Sequence, residues 1–195
     1  VLKNKPVYLY SIEAFNNSKY IDEIILVANK NDLAKIKEET SSFTKVKHFV
    51  EGGQFRQQSV KHGLDVIKED GYVLIHDSAR PLVDDGIIFS LIEALKEYDG
   101  AAPAIKVVDT IVKTSDAGEI ESFENREKLY RIQTPQAFRV NIIKKAHEKF
   151  IDCNANDDTS LLHMLNKKVK IVEGKEKLRK ITKLEDIDAL QAFIK

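Results

Sequence analysis

Short apolar runs alternate along this chain with stretches whose apolar residues recur every three or four positions. That alternation limits the fold more than any other feature. Residues 23–28 and 72–75 are largely apolar runs of strand length, the mark of strands covered on both faces. Val46, His48 and Val50 alternate and predict a strand ending at Gly52-Gly53. Residues 101–105 and 169–172 predict two more, and 178–181 a short last one. Between them come helical stripes: Leu9, Ile12 and Phe15; Leu33 and Ile36 behind Asp32 as cap; Val60, Leu64 and Ile67; Ile87, Ile88, Leu91, Ile92 and Leu95. Ile142, Ile143 and Ala146 mark another, and Leu161, Leu162 and Leu165 one capped by Asn156-Asp157-Asp158. Leu184, Ile187, Leu190 and Ile194 follow a capping box at Thr182 to Glu185. Strand and helix in alternation predict an α/β fold with a doubly wound, mostly parallel sheet.

One region breaks the alternation. Residues 107–132 hold two strand-like pieces, 110–113 and 128–130, around the turn cluster Ser115-Asp116-Ala117-Gly118. The pattern is too polar to bury by itself, so it predicts a projecting β-arm packed on something else. A second subunit is the natural partner, and a hairpin lying on its own domain is the plainer alternative.

The 195 residues suit a single domain that buries its own core. With 31 basic and 31 acidic side chains, the chain has no broad electrostatic case for binding nucleic acid. No apolar run approaches the roughly 20 residues of a membrane span, and no signal peptide is visible. Cys153, the single cysteine, has no internal disulfide partner, so a reducing, cytoplasmic setting is expected.

Two polar runs sit beside prolines just beyond strand-like segments: His76-Asp77-Ser78-Ala79-Arg80-Pro81 and the stretch 130–138 containing Gln133-Thr134-Pro135-Gln136. Strand ends in open α/β sheets are where ligands sit, so the two runs suggest two walls of one site. A carboxylate at Asp77 can hold a metal ion, a ribose or a polyol hydroxyl. Arg80 is a phosphate anchor or a structural ion pair, and His76 a satisfied histidine rather than a base. At 51–59, Gly52 and Gly53 open a helix whose free amides suit a ligand. The run lacks the third glycine of the dinucleotide fingerprint and the lysine of a Walker loop, and a plain turn with a solvated Arg56 accounts for it equally. Thr110, Arg126, Thr134 and Lys180 are the mix of hydroxyl, guanidinium and ammonium a phosphate wants, if the fold gathers them. The basic run 175–180 otherwise reads as a solvated loop. No nucleophile elbow, activated cysteine or zinc-ligand spacing is present.

Gly52-Gly53 with Arg56 and Ser59, the 76–81 run, Asp109-Thr110-Ile111, the 133–138 run, Asp157-Asp158 and Lys180-Ile181-Thr182 come in an order and spacing that resembles the 2-C-methyl-D-erythritol 4-phosphate cytidylyltransferases over essentially the whole chain. The resemblance implies a single Rossmann-like nucleotidyltransferase domain over 1–195, a β-arm at about 107–132 and a homodimer. It implies that CTP and 2-C-methyl-D-erythritol 4-phosphate are joined, with release of pyrophosphate, by direct in-line displacement with Mg2+ or another divalent cation bridging the triphosphate. Gly53 and Ser59 match cytosine-reading positions, and Asp77 and Ser78 nucleotide and sugar contacts. Arg80, with Asp77, matches contacts to the polyol hydroxyls. Thr110, Arg126, Thr134 and Lys180 match the grip on the polyol phosphate, with Arg126 and Lys180 as the catalytic charges. Arg126 and Thr110 would reach the neighbour's site from the arm.

Three departures are visible. The family's glycine-rich loop, with a catalytic arginine and lysine, would lie just before Val1, so the isolated 195-residue chain is expected to show little or no transferase activity. Gln54 replaces a common acidic residue. Asn156 stands where a threonine usually precedes the aspartate, keeping a donor but losing a hydroxyl. A ribitol 5-phosphate cytidylyltransferase and a non-catalytic nucleotide-binding module are the rival readings.

Overall fold

The apolar runs become strands and the periodic stretches helices over residues 1–194, which the structure, a computed structural model, describes. In chain order they are α1 (Val7–Asn17), β1 (Ile24–Ala28), α2 (Leu33–Glu39), β2 (Val46–Glu51), α3 (Arg56–Asp65), β3 (Tyr72–Ile75), α4 (Asp85–Ala94) and β4 (Gly100–Lys106). Then follow β5 (Val112–Thr114), β6 (Ile120–Phe123), β7 (Tyr130–Ile132), β8 (Gln136–Arg139), α5 (Val140–Lys149), α6 (Asp158–Met164), β9 (Val169–Glu173) and α7 (Leu184–Gln191).

The main sheet runs β3–β8–β4, with β9 on the far edge of β4 and β7 beside β8 on the near one. β9 is parallel to β4, and β1 is parallel to β2 in a separate pair. The pairings of β8 with β3 and of β7 and β8 with β4 are antiparallel. The expectation of a mostly parallel sheet is therefore wrong. The segment after residue 132 runs back through the middle of the sheet instead of crossing over to a parallel position. With Pro135 before it and Gln136 and Arg139 at its ends, β8 lacks the apolar run of a central strand, which hid it.

β7 and β8 are one strand interrupted. Ala104 faces Ile132, yet Ala101, three residues back on β4, faces Ala137, five residues on. Two extra residues bulge out between, and the bulge carries Gln133, Thr134 and Pro135. Bulges bend a strand and re-aim its side chains.

Alternation along β4 and β8 sorts the two cores. Ala101 and Ala137 pack with Ile87, Ile88, Leu91 and Leu95 of α4 and the turn after it. Phe138 packs on the other face with Leu64, Ile143, Leu161 and Leu162. A Cβ at Gly100 would lie 2.8 Å from Leu162 and 2.9 Å from Phe138, so only glycine leaves that ring its room. α4 starts where it does because the Asp84 carboxylate accepts the Ile87 amide at 3.0 Å.

Three smaller expectations also shift. Residues 178–181 form no strand; a 3-10 turn, Glu176–Leu178, takes part of that place. Asp186, not Glu185, closes the cap of α7, accepting the amides of Thr182 and Lys183 at 2.9 Å. Leu184 is 83% exposed, while Leu190 of the same stripe is buried.

The strands β5 and β6 pair only with each other, and the turn between them sits at Ser115 to Gly118, as the sequence implies. Within the 107–132 region, β7 belongs to the main sheet instead.

Candidate functional site

The carboxyl end of β3 delivers Asp77, and three other segments converge on it. Its Oδ1 accepts from Arg56 Nε at 3.1 Å, and its Oδ2 from Lys180 Nζ at 3.1 Å. Its backbone amide donates to Thr134 Oγ1, set there by the bulge, at 3.0 Å. Burial disfavours the Asp77 charge, but Arg56 and then Lys180 outweigh it and hold the carboxyl below its ordinary range.

His76 sits behind this. Its Nε2 faces the Arg80 carbonyl at 2.9 Å, which can only accept, so the proton is on Nε2. Nδ1 is then the acceptor for the Thr134 hydroxyl, 3.1 Å away. Burial pushes the imidazole down to about 4, which keeps it neutral near pH 7. This is a bound, structural histidine, not a base.

Arg56 opens α3 and faces two ways. Its Nη1 lies 2.7 Å from Asp158 Oδ2, as an ion pair rather than an aligned hydrogen bond. Asp158 is buried, and its Oδ1 takes His147 Nε2 at 3.0 Å. Burial alone would lower the guanidinium's proton affinity; Asp158 and Asp77 reverse this and raise it. The solvated Arg56 that the sequence allowed is excluded.

Lys180 owes its place to three ties. Gln133, on the bulge, donates its amide to the Lys175 carbonyl at 2.9 Å and accepts the Lys175 N–H at 3.2 Å. Arg80 Nη1 donates to the Leu178 carbonyl at 2.7 Å, and Ile181 N–H to the Ala79 carbonyl at 2.9 Å. The basic run is thus moored to the 76–81 loop. Arg80 does structural work there, while its Nε is buried without a protein partner.

Beside this cluster, the carboxyl ends of the parallel pair β1 and β2 enclose a pocket of about 280 Å3 lined by residues 27–30, 51–53 and Ser59. Ser59 Oγ accepts the Gly53 amide at 3.0 Å, and Gln58 Oε1 the Gln54 amide at 2.9 Å. A side chain at Gly53 would collide with Gln58, so the close approach the glycine permits is to the helix itself.

The structure thus gathers Asp77, Arg80, Thr134 and Lys180 in one cluster, with Gly53 and Ser59 on the adjoining pocket. Ser78 and Asn156 are exposed nearby in sequence. Asn156 precedes Asp157, whose Oδ2 takes the Gln136 amide at 2.5 Å. Thr110 and Arg126 are not brought in: both are exposed within the 107–132 region, and Arg126 Nη1 donates to the Val108 carbonyl at 2.8 Å. Sequence reasoning missed the Asp158–His147 pair and the mooring role of Gln133. A signal for the first lay in the paired aspartates at 157–158; a glutamine that copies a backbone ladder carries none.

Phosphate oxygens need fixed cations and hydroxyls, and a nucleotide base needs a pocket at strand ends. The molecule offers both side by side on an α/β sheet, which puts it among the α/β nucleotidyltransferases. Comparison with known proteins narrows the class. The family model described as 2-C-methyl-D-erythritol 4-phosphate cytidylyltransferase matches residues 1–195, and the chain belongs to that family. The protein of that name from Clostridium acetobutylicum is 40% identical over 201 residues, across all of this chain and 87% of the relative. That of Dehalococcoides mccartyi is 39% identical over 196 residues, across all of this chain and 86% of the relative. The crystal structure of 4-diphosphocytidyl-2C-methyl-D-erythritol synthase from Anaerococcus prevotii superposes with a TM-score of 0.91 at 30% identity, over 99% of this chain and 87% of that one.

Proposed function

We propose that this chain joins CTP and 2-C-methyl-D-erythritol 4-phosphate to give 4-diphosphocytidyl-2-C-methyl-D-erythritol and pyrophosphate. Membership of the family supports the reaction, and the observation that carries the site is the gathering of Lys180, Thr134 and Arg56 on Asp77. An oxygen of the polyol phosphate attacks the α-phosphorus of CTP, a new P–O bond forms, and the bond to pyrophosphate breaks. No protein nucleophile is needed, so the chain's work is positioning and charge neutralisation.

In this reading Gly53 and Ser59 face the base, with Ser78 and Asp77 toward the ribose. Arg80 and Asp77 take polyol hydroxyls. Lys180, Thr134 and the exposed Asn156 hold the attacking phosphate with Arg126 and Thr110, which come from the arm of a second copy. The arm's exposed apolar side chains support that pairing: Val108 is 72% and Phe123 70% exposed. A homodimer would cover them and complete each site from both subunits.

Among the described residues no three His, Cys, Asp or Glu side chains converge to hold a metal, and Asp77 already carries two cations. The residues therefore do not form a resident Mg2+ cage. The ion fits better as part of the substrate, Mg·CTP, drawing its oxygens from the phosphates and water. No helix among the described residues is long and apolar enough to cross a membrane. The exposed thiol of Cys153 fits a reducing, cytoplasmic compartment.

The test is CTP-dependent pyrophosphate release by the encoded protein with 2-C-methyl-D-erythritol 4-phosphate and with ribitol 5-phosphate. Turnover should need the first and stop on chelation. Faster turnover of the second would overturn the substrate assignment.

A further inference from the structure

A line of polar side chains runs from the core to the site. His147 on α5 meets Asp158 on α6, Asp158 meets Arg56 on α3, Arg56 meets Asp77 at the end of β3, and Asp77 meets Lys180. Its inner end is shut away and its outer end is open: the Asp158 side chain is 1% exposed, Asp77 17% and Lys180 44%. The inner end is anchored in the core and the outer end reaches solvent. Asp77 is therefore held by two cations of different kinds. Arg56 is planar, fixed at both ends of its guanidinium and unable to leave without stranding a buried carboxylate. Lys180 is a single ammonium on a flexible stem, and it can turn away.

We propose that Arg56 is the positioning residue of this site: it pins Asp77 to the buried Asp158–His147 pair, so that Lys180 can exchange Asp77 for the incoming phosphate. A phosphate carries more charge than a carboxylate and draws the ammonium off. Asp77 stays ionised on Arg56, and its Oδ2 is left free to accept a ligand hydroxyl. The Lys180–Asp77 contact is then the resting state of a swap, not a permanent bridge. The inference rests on reading Lys180 as a phosphate-binding group.

The test uses the encoded protein with Arg56→Met, Arg56→Lys, Lys180→Met and the double variant Arg56→Met/Asp158→Asn. The double variant removes the guanidinium and the buried charge together, so it keeps its thermal stability where Arg56→Met alone can unfold. Arg56, Lys180, Arg80 and the neutral His76 are the titratable groups that face Asp77. In the double variant Lys180 is Asp77's one direct ion-pair partner and stays on it. The KM for the polyol phosphate should rise at least tenfold, with the KM for CTP within about threefold of wild type. The acid limb of kcat/KM should move to higher pH, because the Asp77 carboxylate has lost a cation. Arg56→Lys should recover part of both effects. A folded double variant with the wild-type polyol phosphate KM and acid limb overturns the inference and leaves Lys180's role standing. An unchanged polyol phosphate KM in Lys180→Met overturns the reading of Lys180, and the inference with it.

Discussion

At the scale of single residues, the fold sets protonation states around the site before any ligand arrives. His76 is the clearest case. Its imidazole is ordinary in the unfolded chain at 6.5 and held at about 4 in the fold. Between those values the unfolded state binds more protons, so stability rises with pH there and is lost as pH falls from about 6.5 toward 4. The loss between pH 7 and pH 5 should be about 2 kcal/mol. Asp77, depressed in the fold, adds its own loss only below its ordinary 3.8. Urea midpoints at pH 7 and pH 5 check this: His76→Gln should flatten the difference, and an equal slope in the variant would exclude the histidine as its source. Arg126→Ala tests a residue that the chain by itself leaves outside the cluster. Losing a charge-assisted phosphate contact should cost roughly 2–3 kcal/mol in kcat/KM for the polyol phosphate while CTP binding holds. Equal damage to both ligands in isothermal titration and kinetics would count against it. His76's satisfied role was legible in the sequence, since a histidine beside an apolar strand end is usually bonded. The choice between a solvated and a buried Arg56 was not, because Asp158 lies far from it along the chain.

At the scale of elements, the bulge between β7 and β8 matters most. It turns Thr134 onto the Asp77 amide and lets Gln133 extend the sheet's bonding to Lys175. Gly174 makes room for that contact: a Cβ there would lie 2.8 Å from the Ala104 carbonyl carbon and collide with Gln133. Gly174→Ala should therefore destabilise the fold by about 1–3 kcal/mol, since the neighbour is backbone and cannot yield. It should also weaken polyol phosphate binding, because Lys180 loses its mooring. A chemical-denaturation curve and the KM of the same variant read the two effects, and wild-type values in both would sink the account. Helix and strand positions followed from periodicity for α1, α4, β3 and β9. β8 did not, because its place depends on being flanked by β3 and β4 rather than on its own pattern.

At the scale of the whole molecule, the proposed arm exchange makes activity a property of two chains. Arg126→Ala and Lys180→Ala fail at opposite halves of a shared site. Mixed in equal amounts and allowed to exchange, they should regain about a quarter of wild-type activity, since a random half of the dimers carries one intact site. No recovery on mixing would reject sharing. Phe123→Asp, at an exposed apolar position on the arm, should shift sedimentation toward the monomer and lower activity with it.

The amino-acid sequence by itself determined most helices and the apolar strands, the turn between β5 and β6 and the family's polar runs, because these depend on periodicity and residue type within a few positions. Only the tertiary structure decided that β8 runs antiparallel between β3 and β4, that Arg56 is shared by two carboxylates, and that Lys180 meets Asp77 across 103 residues of chain. Those outcomes are set by which groups desolvate together, and burial is a property of the assembled fold that no local pattern carries.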